Sequence, residues 1–179
     1  MEPLIISTRP GVRHHQLDPV GPGLTGRVFA IPLPTTPLLT DALPYVDWSD
    51  AYAVLTPLGA PCRDPQEWAE AIFQGPALWV RALFGVRELV VRLVGIEPGG
   101  GHAFATVNWR RDEVLVGTDQ RHLGFRASVL VEPGRVALST VVQVRNRRGR
   151  GYFALVRRIH PWVVRSMLAR ASRTMAGPS

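Results

Sequence analysis

Side chains able to move protons near neutral pH are few in this 179-residue chain: five histidines and one cysteine, beside fourteen carboxylates. Histidine changes charge closest to neutral pH and is the usual first choice for general acid or base work. His14 and His15 lie in a Pro/Gly-rich stretch, whereas His102, His122 and His160 fall in patterned segments. His122 and His160 are the better catalytic candidates, and His160 borders an apolar helix face. Its commoner role would be a hydrogen-bonded histidine at a helix–sheet margin. Asp50 is the third candidate. It lies three residues after Asp47, too few for both to share one face of a regular strand, so a shared-proton carboxylate pair is not expected. One Asp is expected to cap the start of the strand, and Asp50 carries chemistry only if it faces a cavity.

No metal site or cofactor is expected. The three histidines occupy separate elements without ligand spacing, and Cys62 has no second thiolate to complete a zinc site. Pro98-Gly99-Gly100-Gly101 is followed by neither Lys-Ser/Thr nor a helix, so it reads as a connector rather than a phosphate loop.

The elements that must position these residues follow from periodicity and punctuation. Residues 1–43 are dense in Pro, Gly and Thr, which breaks helix and central strand alike, and read as an arm laid over the domain. The remainder reads as a domain over 44–172 and a tail over 173–179. Residues 44–55 alternate aromatic and β-branched with short polar residues and predict a strand. Asp64-Pro65-Gln66-Glu67 starts a helix running through Phe73, with Asp64 as cap and Pro65 at the first helical position. Ala77 to Leu93 predicts a second helix, with Arg81, Glu88 and Arg92 on one stripe.

From Ala103 the period becomes two, and strands are predicted over 103–109, 113–118, 123–131 and 136–145. Glu132-Pro133-Gly134-Arg135 has the proline and glycine of a type II turn. Counting outward from it sets Val131 opposite Val136, Val129 opposite Leu138, Ala127 opposite Thr140 and Phe125 opposite Val142, an apolar face. The other face pairs Ser128 with Ser139 and Arg126 with Val141 and reads as the wetter side. A final amphipathic helix is predicted from about Gly149 to Ser172. Its apolar face is expected to hold Tyr152, Leu155, Val156, Ile159, Val163 and Met167, opposite Arg150, Arg157, Arg158 and Arg165. Pro161 removes the hydrogen bond to the Arg157 carbonyl and is expected to kink it.

The length suits one domain with an adequate core. The formal charge is +7, and because the chain has no lysine every basic residue is arginine. Residues 1–100 hold 7 Arg against 10 acids, and residues 101–179 hold 14 against 4. The basicity therefore belongs to the second half, concentrated in Arg145–Arg150 and Arg157-Arg158. Arginine-only usage also fits a composition bias, and the sequence carries no base-stacking motif or recognition helix, so nucleic acid is not expected as a partner. Weak contact with an anionic membrane surface is the charge-based alternative. A lone cysteine, the absence of a basic start ahead of an apolar run, and the absence of about 18 uninterrupted apolar residues predict a cytoplasmic protein.

Strand, helices, consecutive antiparallel strands and a long closing helix make an α+β order in which a curved antiparallel sheet packs on the C-terminal helix. This order resembles the helix-grip fold of the START and polyketide-cyclase superfamily, also called SRPBCC. Within it, Asp47-Trp48-Ser49-Asp50-Ala51-Tyr52, Asp119-Gln120-Arg121-His122-Leu123-Gly124-Phe125-Arg126 and Asn146-Arg147-Arg148-Gly149-Arg150-Gly151-Tyr152-Phe153 resemble an uncharacterised bacterial domain family placed near that superfamily. The resemblance covers roughly residues 44–172. Its most specific part is Asn-x-x-Gly-Arg-x-Tyr-Phe leading to His160. Family members tend to carry Asp where this chain has Gly124, so a role for that carboxylate, including pairing with Arg126, does not transfer.

The resemblance implies a cavity between sheet and closing helix. The expected function is binding of a small apolar or amphipathic molecule there, with Trp109, Phe125, Tyr152, Val156, Ile159 and His160 as ligand-binding candidates. The alternative is a cyclase- or dehydratase-like enzyme acting on a small, polyketide-like metabolite. In that reading His122, His160 or Asp50 moves protons while Tyr152 or Arg126 polarises a carbonyl. The hairpin register places Arg126 on the wrong face for that task.

Overall fold

A computed structural model describes residues 26–57, 62–73 and 105–176. Six antiparallel strands form one sheet: β1 (Val28–Ala30), β2 (Trp48–Leu55), β3 (Thr106–Trp109), β4 (Glu113–Asp119), β5 (Leu123–Glu132) and β6 (Arg135–Val144), in the order β1-β2-β6-β5-β4-β3. Among the described residues three helices accompany it: α1 (Pro37–Thr40), α2 (Pro65–Phe73) and α3 (Arg147–Met175). The predicted helix over 77–93, the Pro98–Gly101 connector and His14, His15 and His102 lie outside the described residues.

The β5–β6 hairpin has the register counted from its turn, with Val131↔Val136, Val129↔Leu138, Ala127↔Thr140 and Phe125↔Val142. Gly134 has φ 77°, the left-handed value that a type II turn requires at its third position. From this hairpin the apolar face extends across β2 through Tyr52 and Val54 and across β4 through Val114 and Val116. Trp68, Ala69 and Ile72 of α2 and Val164, Met167, Leu168 and Ala171 of α3 close over it as one core. Burial of Ile72, Val54, Val129, Val136 and Leu168 is complete, which at roughly 1.5–3 kcal/mol per large aliphatic side chain makes this face the main stabilising layer.

The opposite face is not wet. Ser128, Ser139, Val141 and Arg126 are all buried there, because residues 26–43 lie across it. Leu38, Leu39 and Leu43 pack on Leu115 and Val141, and Phe29 and Ile31 pack beside Ala53, Leu130 and Ala137. A stretch read as an arm thus supplies an edge strand and a helical turn. Val28-Phe29-Ala30 is the proline-free window in which backbone donors are free to pair with β2, and Thr36 caps α1 by accepting from the Leu39 amide. Glu113, 1% exposed, accepts hydrogen bonds from Ser128 and, at 2.9 Å, from Thr36, which ties this segment to the sheet.

The closing helix is longer than expected, passes Pro161 without interruption and includes Arg173–Met175 of the expected tail. Its buried stripe is also rotated by roughly a quarter turn. Gly149, Phe153, Val164, Met167, Leu168, Ala171 and Ser172 face inward, while Leu155 is 53% exposed. A hydropathy wheel ignores how closely a backbone can approach. A Cβ on Gly149 would sit 2.2 Å from the His122 carbonyl oxygen, so the glycine side of the helix is the side that meets the sheet.

Candidate functional site

Alternation along β2 sends Trp48, Asp50 and Tyr52 to the face that α3 covers. Asp47 points the other way and behaves as a cap: its Oδ2 accepts from the Val144 amide at 2.6 Å. On α3, the inward stripe through Phe153 and Val164 places His160 between them and above β2. Asp50 Oδ2 and His160 Nδ1 meet at 3.1 Å, with side chains 14% and 15% exposed. Trp48 holds the imidazole from the side, with ring centroids 5.2 Å apart at 87°, and is itself braced edge-on by Phe153 at 5.3 Å.

An Asp on Nδ1 sets the tautomer: Nδ1 carries the donated proton and Nε2 is left as the acceptor or base. Tyr52, next on the same face, has its phenol pKa raised, first by burial and then by the Asp50 charge. Arg165 opposes this, and hydrogen bonding to Asp50 adds to it. The Arg165 guanidinium lies 5.7 Å from the centre of the Tyr52 ring, within cation–π range. The second oxygen of Asp50, Oδ1, is buried and makes no hydrogen bond among the described residues. The seam between β2 and α3 therefore contains a carboxylate, an imidazole, a neutral phenol and a guanidinium, framed by aromatic rings.

Asp50 and His160, two of the three catalytic candidates, come together. His122 belongs to a second cluster at the start of α3, where it is 6% exposed and meets Tyr152 edge-on at 5.7 Å. His160 lies eleven residues beyond Gly149, roughly 16 Å along the helix. Of the ligand-binding candidates, Phe125, Tyr152, Val156, Ile159 and His160 are half-buried, and Phe125 packs against the main core. Trp109 stands apart, 74% exposed on β3 at the opposite end of the sheet from β2. Tyr52, Trp48 and Arg165 were missed from sequence. The i, i+2 relation of Trp48, Asp50 and Tyr52 was the available signal.

The Asn-x-x-Gly-Arg-x-Tyr-Phe stretch is a docking device for α3. Asn146 caps the helix by accepting from the Gly149 amide at 2.8 Å and donates to the Arg121 carbonyl at 3.2 Å. Gly149 permits the close approach to His122, and Phe153 is buried against Trp48. On the far face of the sheet, Asp119 is the carboxylate beside Gly124. It pairs with Arg126 at 2.6 Å and with Arg145, closing around Gly124. Arg126 also donates to the Thr118 and Phe125 carbonyls, so it is committed to that face and away from the His160 seam. Among the described residues no group of three or more His, Cys, Asp or Glu could hold a metal. No described helix is long and apolar enough to cross a membrane.

Architecture and site together define an α+β protein of helix-grip-like arrangement, with a polar cluster at the seam between sheet and closing helix. Residues 42–167 match the family model described as "Protein of unknown function (DUF2867)". The chain belongs to the DUF2867 family. No curated protein and no solved structure matches it significantly.

Proposed function

We propose that this protein binds a small apolar or amphipathic molecule between the sheet and α3, with Asp50 and His160 as its polar anchor. The observation that carries the reading is Asp50 Oδ1, buried and without a hydrogen bond among the described residues, beside His160, Tyr52 and Arg165 in a seam framed by Trp48 and Phe153. A buried acceptor without a donor is costly, and a ligand that brings the donor recovers that cost. The ligand's polar end is therefore a hydroxyl or amine-type donor rather than a carboxylate, which Asp50 would repel. Binding pockets of this kind need only one or two orienting polar groups in an apolar setting. Kinship with the START and polyketide-cyclase superfamily and a bacterial, cytoplasmic setting belong to the same proposal. They are supported by the helix-grip-like arrangement and by the exposed lone Cys62.

Native mass spectrometry of the protein purified from its own host tests this directly. A bound small molecule is expected on the wild type and absent from Asp50→Asn. The same pair of proteins is then titrated with 2-naphthol and 2-naphthoate, followed by ligand fluorescence. Preference for the naphthol that Asp50→Asn abolishes supports the reading; no co-purifying molecule together with no naphthol binding overturns it.

The Asp50–His160 contact favours one second reading, proton transfer by His160 on a bound metabolite, as in a cyclase or dehydratase. Wild type and His160→Gln incubated with a small-molecule extract of the host distinguish the two: an enzyme changes the extract's composition, whereas a binder only depletes its ligand.

A further inference from the structure

We infer that the outward face of α3 docks on an anionic lipid bilayer. The helix carries eight arginines and no acidic residue in 29 residues. Composition bias explains why these residues are arginine rather than lysine; it does not explain why one long helix lacks Asp and Glu. None of the eight forms an ion pair among the described residues, and only Arg165 and Arg170 reach protein carbonyls, those of Val28 and Ala71.

Their placement is also unfavourable for the isolated fold. The positive end of the helix dipole favours acidic side chains, yet the start of α3 holds Arg147, Arg148 and Arg150, all exposed, and no acid in its first turn. An external anion offsets that repulsion.

Two large apolar side chains on the same face identify which anion. Leu155 is 53% exposed and Trp162 is 76% exposed. With Arg148 they recur every seven residues, in a line roughly 21 Å long on the side away from the buried stripe, and Arg158 lies between them one turn from each. Tryptophan and leucine interleaved with arginine suit a helix lying in the headgroup layer, where the rings and aliphatic groups enter the acyl boundary and the guanidiniums meet phosphates. A nucleic acid would use the charges but leave Leu155 unpartnered.

Co-sedimentation of the full chain with phosphatidylcholine vesicles, with and without phosphatidylglycerol, at low and high salt, tests the inference. The wild type is expected to bind only the phosphatidylglycerol vesicles and to be released by salt. Arg148→Gln and Arg158→Gln should each weaken binding roughly fivefold, and Trp162→Ala should weaken it further. All three should leave the circular dichroism and unfolding midpoint unchanged, because the side chains removed are exposed. The inference is overturned if phosphatidylglycerol vesicles are not bound at low salt, whether or not duplex DNA is, or if these variants bind as well as the wild type. None of these outcomes depends on whether Asp50 holds a small molecule.

Discussion

His160 Nδ1 lies 3.1 Å from Asp50 Oδ2, across 110 residues of sequence and between the two layers of the fold. Each residue is set by its neighbours: Asp50 by the β2 register against Thr140, His160 by the helix stripe that Gly149 and Phe153 dock. The pair sets a carboxylate beside an imidazole at the sheet–helix seam.

Replacing Asp50 by Asn keeps the shape and removes the charge. Hydrogen bonds to charged groups are worth about 1.5–3 kcal/mol, so 2-naphthol affinity should fall by about tenfold or more. Fluorescence titration measures this, and an unchanged affinity would mean that Asp50 does not touch the ligand.

Tyr52 should ionise above the ordinary phenol value of 10.0, because burial and the Asp50 charge both disfavour its phenolate. A phenol whose folded pKa is raised contributes stability that is complete below its unfolded value of 10.0 and is lost as pH rises through the folded value. An absorbance titration at alkaline pH should show a phenol ionising above pH 10.0 that Tyr52→Phe removes. The variant's stability should also decline less steeply above about pH 10.

Asp119 carries the opposite sign. Partial burial pushes its carboxyl upward, but hydrogen bonds and charge from Arg126 and Arg145 outweigh this and hold it below its usual 3.8. Its contribution is present above that value and disappears as pH falls through the lower, folded one. The carboxylate is 47% exposed, so solvent screens much of the interaction and the effect is modest. Denaturant midpoints measured down the acid limb should fall less for Asp119→Asn than for the wild type.

Two glycines of α3 should respond to alanine in opposite directions. Gly149→Ala forces a methyl against the His122 carbonyl, 2.2 Å away, and should destabilise by about 1–3 kcal/mol or more. Gly151→Ala meets nothing within 4 Å and should stabilise by about 0.5–1 kcal/mol through helix propensity. Chemical denaturation of both variants checks the pair, and equal effects would contradict the docking described for Gly149.

The hairpin register, the β2, β4 and α2 segments and the presence of a long closing helix were all legible, because period, turn residues and caps are local signals. The rotation of α3 was not, since a wheel gives no weight to Gly149 or Ala171, the small residues that let the backbone descend. That residues 26–43 would lie over the domain was legible, but which face they cover was hidden for a related reason. A proline-rich stretch shows where regular structure stops, not which surface its leucines reach.

The amino-acid sequence alone determined which residues could do chemistry, how the β5–β6 hairpin would pair, and that positive charge gathers in the second half of the chain. Only the tertiary structure decided that Asp50 and His160 form a pair while His122 stands apart with Tyr152. It also decided that Tyr52 and Arg165 join that pair, and that Leu155 and Trp162 face outward among arginines. Local periodicity specifies the face on which a side chain emerges. Its partner is set by how two layers pack, which depends on backbone approach and on contacts between residues far apart in the chain.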